Sequence, residues 1–329
     1  MKSSALRMVT ALLFASFSLT AWSAELKIGA ASETGEYTNS IVPALDRKLQ
    51  PHGYRATAQL SQGSQQNVED VAAGRLMVAL SQWDVAALAM AEGAADKLTL
   101  IGKIAPEALL CAVNTEGRAR SLHDFTDQRE IPLKVSVGGE KSGAARTFAY
   151  LQTLDPRLQG VELVYEPDIA AELHRLTSKA RDAVCFMMMP NPDNPLLRMV
   201  HKESNLEFID FVNTRLANAR IGGRSVYDVI EVPVSPGVWG IGAKTVTTLV
   251  TWVGLVVNQE QADLGLTVLL NSIANEPDLL PPNSAAGKAM LLYDQYKVTA
   301  SETARSWSER ASDAARDLTE KAREVIDSK

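Results

Sequence analysis

Two glycine-rich strand-to-helix junctions, roughly a hundred residues apart, constrain this chain more than any other feature. The first reads Leu26-Lys27-Ile28-Gly29-Ala30-Ala31-Ser32-Glu33-Thr34-Gly35-Glu36-Tyr37, and the second Leu133-Lys134-Val135-Ser136-Val137-Gly138-Gly139-Glu140-Lys141-Ser142-Gly143-Ala144. In each, a short apolar run stops at glycine and small polar residues, and a pattern of helical period follows. A helix that starts there leaves N–H donors unsatisfied at the positive end of its dipole. Such a terminus binds carboxylate or phosphate without a basic side chain. One such terminus per lobe would make a clamp on an anion. Either junction taken alone also fits an ordinary βα turn.

The residues before the first junction point to export. Lys2 and Arg7 precede an apolar stretch from Met8 to Trp22, and Ala21-Trp22-Ser23 places small residues where a signal peptidase reads, with the cut expected after Ser23. The stretch is short for a spanning helix and no later segment is long and apolar enough to be one, so the mature chain is expected to be periplasmic and soluble, with no transmembrane segment. The first cysteine is Cys111, so no lipid anchor is expected at the cut. Losing Lys2 and Arg7 with the signal moves the formal charge from −6 to −8, which argues against nucleic acid or an anionic membrane as partner. A chain of 329 residues exceeds what one core organises, so two lobes are expected.

Strands alternate with helices along the chain. Strand-like runs fall at Leu26 to Ala30, Tyr54 to Leu60, Leu76 to Ser81, Leu98 to Ile104 and Ala108 to Val113, then, past the polar turn Asn114 to Gly117, at Lys134 to Val137, Val161 to Tyr165 and Ala183 to Met189. Further strands are expected at Phe208 to Val212, Val229 to Val232 and Thr247 to Val257, and helices at Tyr37 to Leu49, Ile169 to Thr177 and Gln259 to Ala274. The alternation predicts an α/β fold of doubly wound sheets with a ligand crevice at the carboxyl ends of the strands. Lobe 1 is expected at 24–115 and 236–295, lobe 2 at 116–235, and an amphipathic helix at 296–329, where Ala304, Trp307, Ala311, Ala314, Leu318, Ala322 and Val325 make a narrow stripe. That helix would either dock on the first lobe, stay solvated, or engage a partner. Cys111 and Cys185 lie in apolar runs assigned to different lobes, so both are expected to be reduced and buried. Met187-Met188-Met189 reads as core packing, and the four histidines show no metal-ligand spacing. Gly237 to Thr245 imitates a phosphate loop but has Ala243 between glycine and lysine, and no nucleophile elbow is present. No catalytic residue, cofactor or metal is expected.

Together, Lys27-Ile28-Gly29 with Gly35-Glu36-Tyr37, Gln62-Gly63-Ser64 with Asn67, Gln82-Trp83-Asp84-Val85-Ala86, Ser121 to Phe125, Val135 to Gly138, Ser142-Gly143, Val161 to Tyr165 and Ser235 to Gly240 resemble the TAXI-type solute receptors of TRAP transporters, in order over residues 25–290. The resemblance implies a type II periplasmic binding-protein fold whose two lobes close on a small solute and hand it to membrane subunits. It further implies a pocket lined by Gly35, Glu36, Tyr37, Gln82, Asp84, Ser142, Gly143, Ala144 and the loop after Met189, starting at Pro190. Thr38 stands where many relatives carry a second tyrosine, Ala144 where they carry threonine, and Arg146 falls one place later than the usual arginine. The two N–H cradles suggest a small carboxylate. An amino acid such as glutamate is favoured over a plain dicarboxylate, because Glu36 and Asp84 could meet an ammonium group. A sensory ligand-binding protein of the same fold, engaging a membrane kinase through its tail, is the alternative.

Overall fold

Apolar residues at alternating positions build the first strand, β1 (Ala24–Gly29), in which Leu26 and Ile28 are buried. The computed structural model describes residues 23–127, 129–235 and 243–295, so the expected signal segment up to Trp22, the Pro236 to Gly240 part of the TAXI-like pattern and the C-terminal stripe lie outside the described residues. After β1 a π-helical turn, Tyr37–Ile41, runs into α1 (Val42–Leu49), which buries Val42, Leu45 and Leu49 at three- and four-residue steps. Then come β2 (Tyr54–Gln59), α2 (Ser64–Ala72), β3 (Val78–Gln82) and α3 (Trp83–Ala89). β1 lies between β2 and β3, parallel to both, as the alternation predicts.

The next strand, β4 (Leu98–Asn114), is a single element of 17 residues where the sequence suggests two. Pro106 and Glu107 interrupt its apolar pattern but not its pairing. Beyond it lie α4 (Leu122–Thr126), β5 (Leu133–Ser136), α5 (Gly143–Leu154), β6 (Val161–Val164), α6 (Ile169–Thr177) and β7 (Ala183–Met188). They are followed by α7 (Pro195–Lys202), β8 (Leu206–Ile209), α8 (Thr214–Ala217), the small hairpin of β9 (Arg220–Ile221) and β10 (Arg224–Ser225), and β11 (Asp228–Ser235). The 15-residue β12 (Lys244–Asn258) and α9 (Leu264–Ala274) follow, and a helical stretch over 285–295 ends the described chain.

One ten-stranded sheet joins all the described strands except the β9–β10 hairpin, in the order β2-β1-β3-β12-β4-β7-β5-β6, with β11 on β12 and β8 on β4. The front of β4 and the end of β12 pair with each other beside β3, whereas Ala108 to Val113 pair antiparallel with β7, and Asp228 to Ser235 pair with the front of β12. The chain therefore changes lobe inside β4 and returns inside β12, where Glu107 lies opposite Thr251 and Pro106 opposite Trp252. Just before this crossing the register shifts between Val253 and Leu255. A Cβ on Gly254 would lie 2.6 Å from the Trp83 indole nitrogen and 2.7 Å from the Gly102 carbonyl, so the bulge admits only glycine there.

Helices cover both faces of each lobe. In lobe 1, Leu26, Ile28, Leu45 and Leu270 pack on one face and Val68, Val71 and Val85 on the other; in lobe 2, Val135, Phe148 and Phe211 oppose Leu173, Phe186 and Val250. Among the described residues no helix is long and apolar enough to cross a membrane.

The cysteine expectation is corrected. Cys111 on β4 and Cys185 on β7 are directly paired across the ladder, 4.1 Å apart at Cα, and form a disulfide. The expectation failed because it assigned the second half of β4 to lobe 1, when that half belongs beside β7.

Candidate functional site

The polar ends of β1, β3 and β5 converge on a cleft of about 830 Å³ between the lobes. Lobe 1 contributes Ala31, Ser32, Thr34 to Tyr37, Ser61 to Ser64 and Gln82, lobe 2 contributes Val137 to Glu140 and Ser142 to Ala144, and Phe186 to Met189 make an apolar wall. Glu107, from the crossing strand β4, reaches in between.

The loop after β1 is shaped from within lobe 1. Asn67, fully buried on α2, donates its amide to the carbonyls of Ala30 and Leu80, which fixes the ends of β1 and β3 side by side. Gly35 N–H closes a tight turn onto the Ser32 carbonyl at 3.0 Å, and a Cβ at Gly35 would sit 3.1 Å from the Ser32 hydroxyl. Glu36 lines the cleft and accepts the Ser40 hydroxyl at 2.8 Å.

The loop after β5 has a different construction. Gly138 has φ of +79°, a left-handed conformation that turns the chain back. Ser142 then caps α5: its hydroxyl donates to the Val137 carbonyl and accepts the Ala145 N–H, each at 3.1 Å. The hydroxyl is thus engaged, while Gly143 and Ala144 present the first N–H groups of a 12-residue helix at the cleft. A Cβ on Gly143 would come within 1.8 Å of Gln82 Oε1, so glycine is what lets the lobe 1 glutamine pack against this terminus.

The cleft floor is a hydrogen-bonded cluster. Gln82 Nε2 donates to Glu107 Oε2 at 2.6 Å, Tyr37 Oη donates to the same oxygen at 3.3 Å, and Ser64 Oγ lies 3.4 Å from Tyr37 Oη while accepting the Gln82 N–H. Burial pushes the Glu107 carboxyl up to about 7; the bonds from Gln82 and Tyr37 work against this rise, and the charges of Asp84 and Glu36 add to it. The Tyr37 hydroxyl is pushed well above its ordinary value, by burial first and then by the Glu107 charge.

Seven of the nine residues singled out in the sequence, Gly35, Glu36, Tyr37, Gln82, Ser142, Gly143 and Ala144, line this one cleft. Two do not. Asp84, fully buried in the first turn of α3, turns away and accepts Thr147 Oγ1 at 2.5 Å and Tyr227 Oη at 2.9 Å, both from lobe 2. Pro190 is buried and is not among the residues lining the cleft. Glu107 is the residue that sequence reasoning missed. Its signal was a single carboxylate inside a 17-residue apolar run, where Pro106 made the break look like a loop.

Comparison with known proteins places the chain in the NMT1-like family, whose model matches residues 28–264. No curated protein matches it at a significant level. Among solved structures, a Xanthomonas citri protein bound to ATP is 11% identical with a TM-score of 0.48, covering 82% of this chain and 87% of its own. An ancestral arginine-binding protein bound to arginine is 11% identical with a TM-score of 0.46, covering 84% of this chain and 99% of its own. The binding component of an ABC phosphonate transporter from Pseudomonas aeruginosa is 12% identical with a TM-score of 0.47, covering 81% of this chain and 78% of its own.

Proposed function

For this member of the NMT1-like family we propose an exported solute receptor of the TAXI type, which binds a small carboxylate between its lobes and delivers it to TRAP-type membrane subunits. The observation that carries the reading is the convergence of the two glycine-rich junctions, from opposite lobes, on one cleft of about 830 Å³. The start of α5 supplies N–H donors and dipole to a carboxylate, Tyr37 an aromatic wall, and Phe186 to Met189 an apolar side for the remainder of a small molecule. The chain passes from lobe to lobe within β4 and β12, and a closing motion would bend it there. The ligand is an amino acid such as glutamate, or a dicarboxylate. The reading is of a receptor and not an enzyme.

Thermal denaturation of the purified mature chain against a panel of amino acids and organic acids tests this. A ligand at about a hundred times its dissociation constant adds roughly 2.7 kcal/mol. Stabilisation by at least one carboxylate is expected, and no shift with any of them would remove the receptor reading.

A further inference from the structure

The floor of the cleft holds acceptors that lack donors. Both bonds to Glu107 fall on Oε2, from Tyr37 and Gln82, and no described residue donates to its other oxygen. With Glu107 ionised, the Gln82 amide has one acceptable orientation, its nitrogen facing the carboxylate. Its oxygen therefore points toward the start of α5, where it is buried without a hydrogen-bond partner. Gln82 is 2% exposed and Glu107 is 8% exposed, so bulk water supplies little to either. The charged side chains among the described residues lining the cleft are Glu36, Glu107 and Glu140; no lysine, arginine or histidine is among them.

We propose that Glu107, with Gln82 beside it, is the specificity-determining group of the cleft and receives a protonated amine of the ligand. This deepens the receptor reading and rests on it. The ligand's ammonium supplies N–H donors to the open Glu107 oxygen and to Gln82 Oε1, while its carboxylate meets the Gly143 and Ala144 N–H groups. A dicarboxylate without an amine sets an anion against three glutamates with no cation to receive it, and is rejected.

A pH dependence follows. Glu107 faces Tyr37 from the π turn, Ser64 from α2, Gln82 from β3 and Thr251 from β12, with the charges of Glu36 and Asp84 near enough to act on it and Glu140 across the cleft. Its carboxyl, raised to about 7 by burial, must be ionised to hold an ammonium. Affinity therefore approaches its full value about a pH unit above 7 and declines on acidification, by about 25-fold between pH 7.5 and 5.5.

Calorimetric titration of the mature chain tests this, with the protein amino acids as probes, the 2-hydroxy acid of each one that binds, and succinate and glutarate. The expected result is that amino acids bind, their hydroxy counterparts and the dicarboxylates bind at least tenfold more weakly, Glu107→Gln abolishes both the preference and the pH dependence, and Glu107→Asp restores the preference in part. Circular dichroism establishes that the variants are folded. If a dicarboxylate or a hydroxy acid binds the wild type as tightly as the amino acid, or Glu107→Gln keeps the preference, this inference falls and the receptor reading stands. If no probe binds the wild type at all, both fall.

Discussion

Two buried carboxylates sit on either side of the border between the lobes, and they are wired in opposite ways. Asp84 belongs to lobe 1 but takes its hydroxyl donors from lobe 2, Thr147 on α5 and Tyr227. Glu107 takes its donors, Tyr37 and Gln82, from lobe 1, and turns its remaining capacity to the cleft. Burial raises the carboxyl of each. Each acid bonds through one oxygen only, so the contrast teaches that a buried acid is a clasp when its donors come from across the border and its spare oxygen is sealed in, as Asp84 Oδ1 is, and a receptor when they come from its own side and the acid lines the cleft.

The largest expected effect is a difference of sign. Asp84→Ala strands two buried hydroxyls and opens a small cavity, and is expected to cost about 3 kcal/mol. Glu107→Gln is expected to stabilise the unliganded protein at pH 8. The folded-state value of Glu107, about 7, lies above its ordinary 4.5, so the folded state holds this proton more tightly than the unfolded chain. Stability is full below about pH 4.5 and is lost as pH rises toward 7, by about 3 kcal/mol in all. Glutamine should remove that slope. Denaturant titrations at pH 5 and pH 8 read both variants, and destabilisation by Glu107→Gln at pH 8 would break the comparison.

Next in size is the disulfide, which belongs to neither acid. Cys111 and Cys185 close a loop across a sequence separation of 74, but the ladder between β4 and β7 already holds them together. Reduction is expected to cost about 2 kcal/mol, near the lower end for such bridges. Intact mass should be two daltons below the reduced chain, with no thiol titratable after denaturation. A free thiol on each cysteine would contradict the β4–β7 register. Smaller again is Ser142→Ala. The hydroxyl caps α5, so about 1 kcal/mol of stability should be lost, with affinity for a carboxylate changing less than tenfold. A hundredfold loss of affinity with unchanged stability would instead put the hydroxyl on the ligand.

How legible this was in the sequence depended on how local the cause was. The junctions at Gly29 to Tyr37 and Gly138 to Ala144 were readable because a strand end, a glycine and a helix cap are written within a dozen residues. The strands and helices around them followed for the same reason, and α6 falls at Ile169–Thr177 as its periodicity predicts. What escaped was fixed by distant partners. β4 looked like two strands because Pro106 and Glu107 break its apolar run, and only its pairing with Trp252 and Thr251 makes it continuous. Cys111 met Cys185 through a register that no local pattern encodes. Asp84 was recognised as a charge near the cleft, but the direction of its side chain was decided by where Thr147 and Tyr227 arrive.

The smallest expected effect concerns two of the three ion pairs between described residues that also span the border, Lys141 with Glu69 and Arg146 with Glu92, the third being Lys288 with Asp193. They join the same two lobes as the Asp84 clasp, at the rim of the seam where Gln65 N–H also bonds the Lys141 carbonyl. Lys141 and Glu69 keep 41% and 36% of their side-chain surface, and Glu92 keeps 60%, so water and salt screen them in a way that Asp84, with none exposed, escapes. Glu69→Gln and Glu92→Gln are each expected to cost less than about 1 kcal/mol, and less still at high ionic strength. The double variant should be close to the sum of the singles, because the two pairs share no atom. Measured beside Asp84→Ala at low and high salt, they separate geometry from burial as the source of cohesion. If either pair matched the Asp84 effect at high salt, spanning the border would be what counts, and the distinction drawn between the buried clasp and its exposed neighbours would fail.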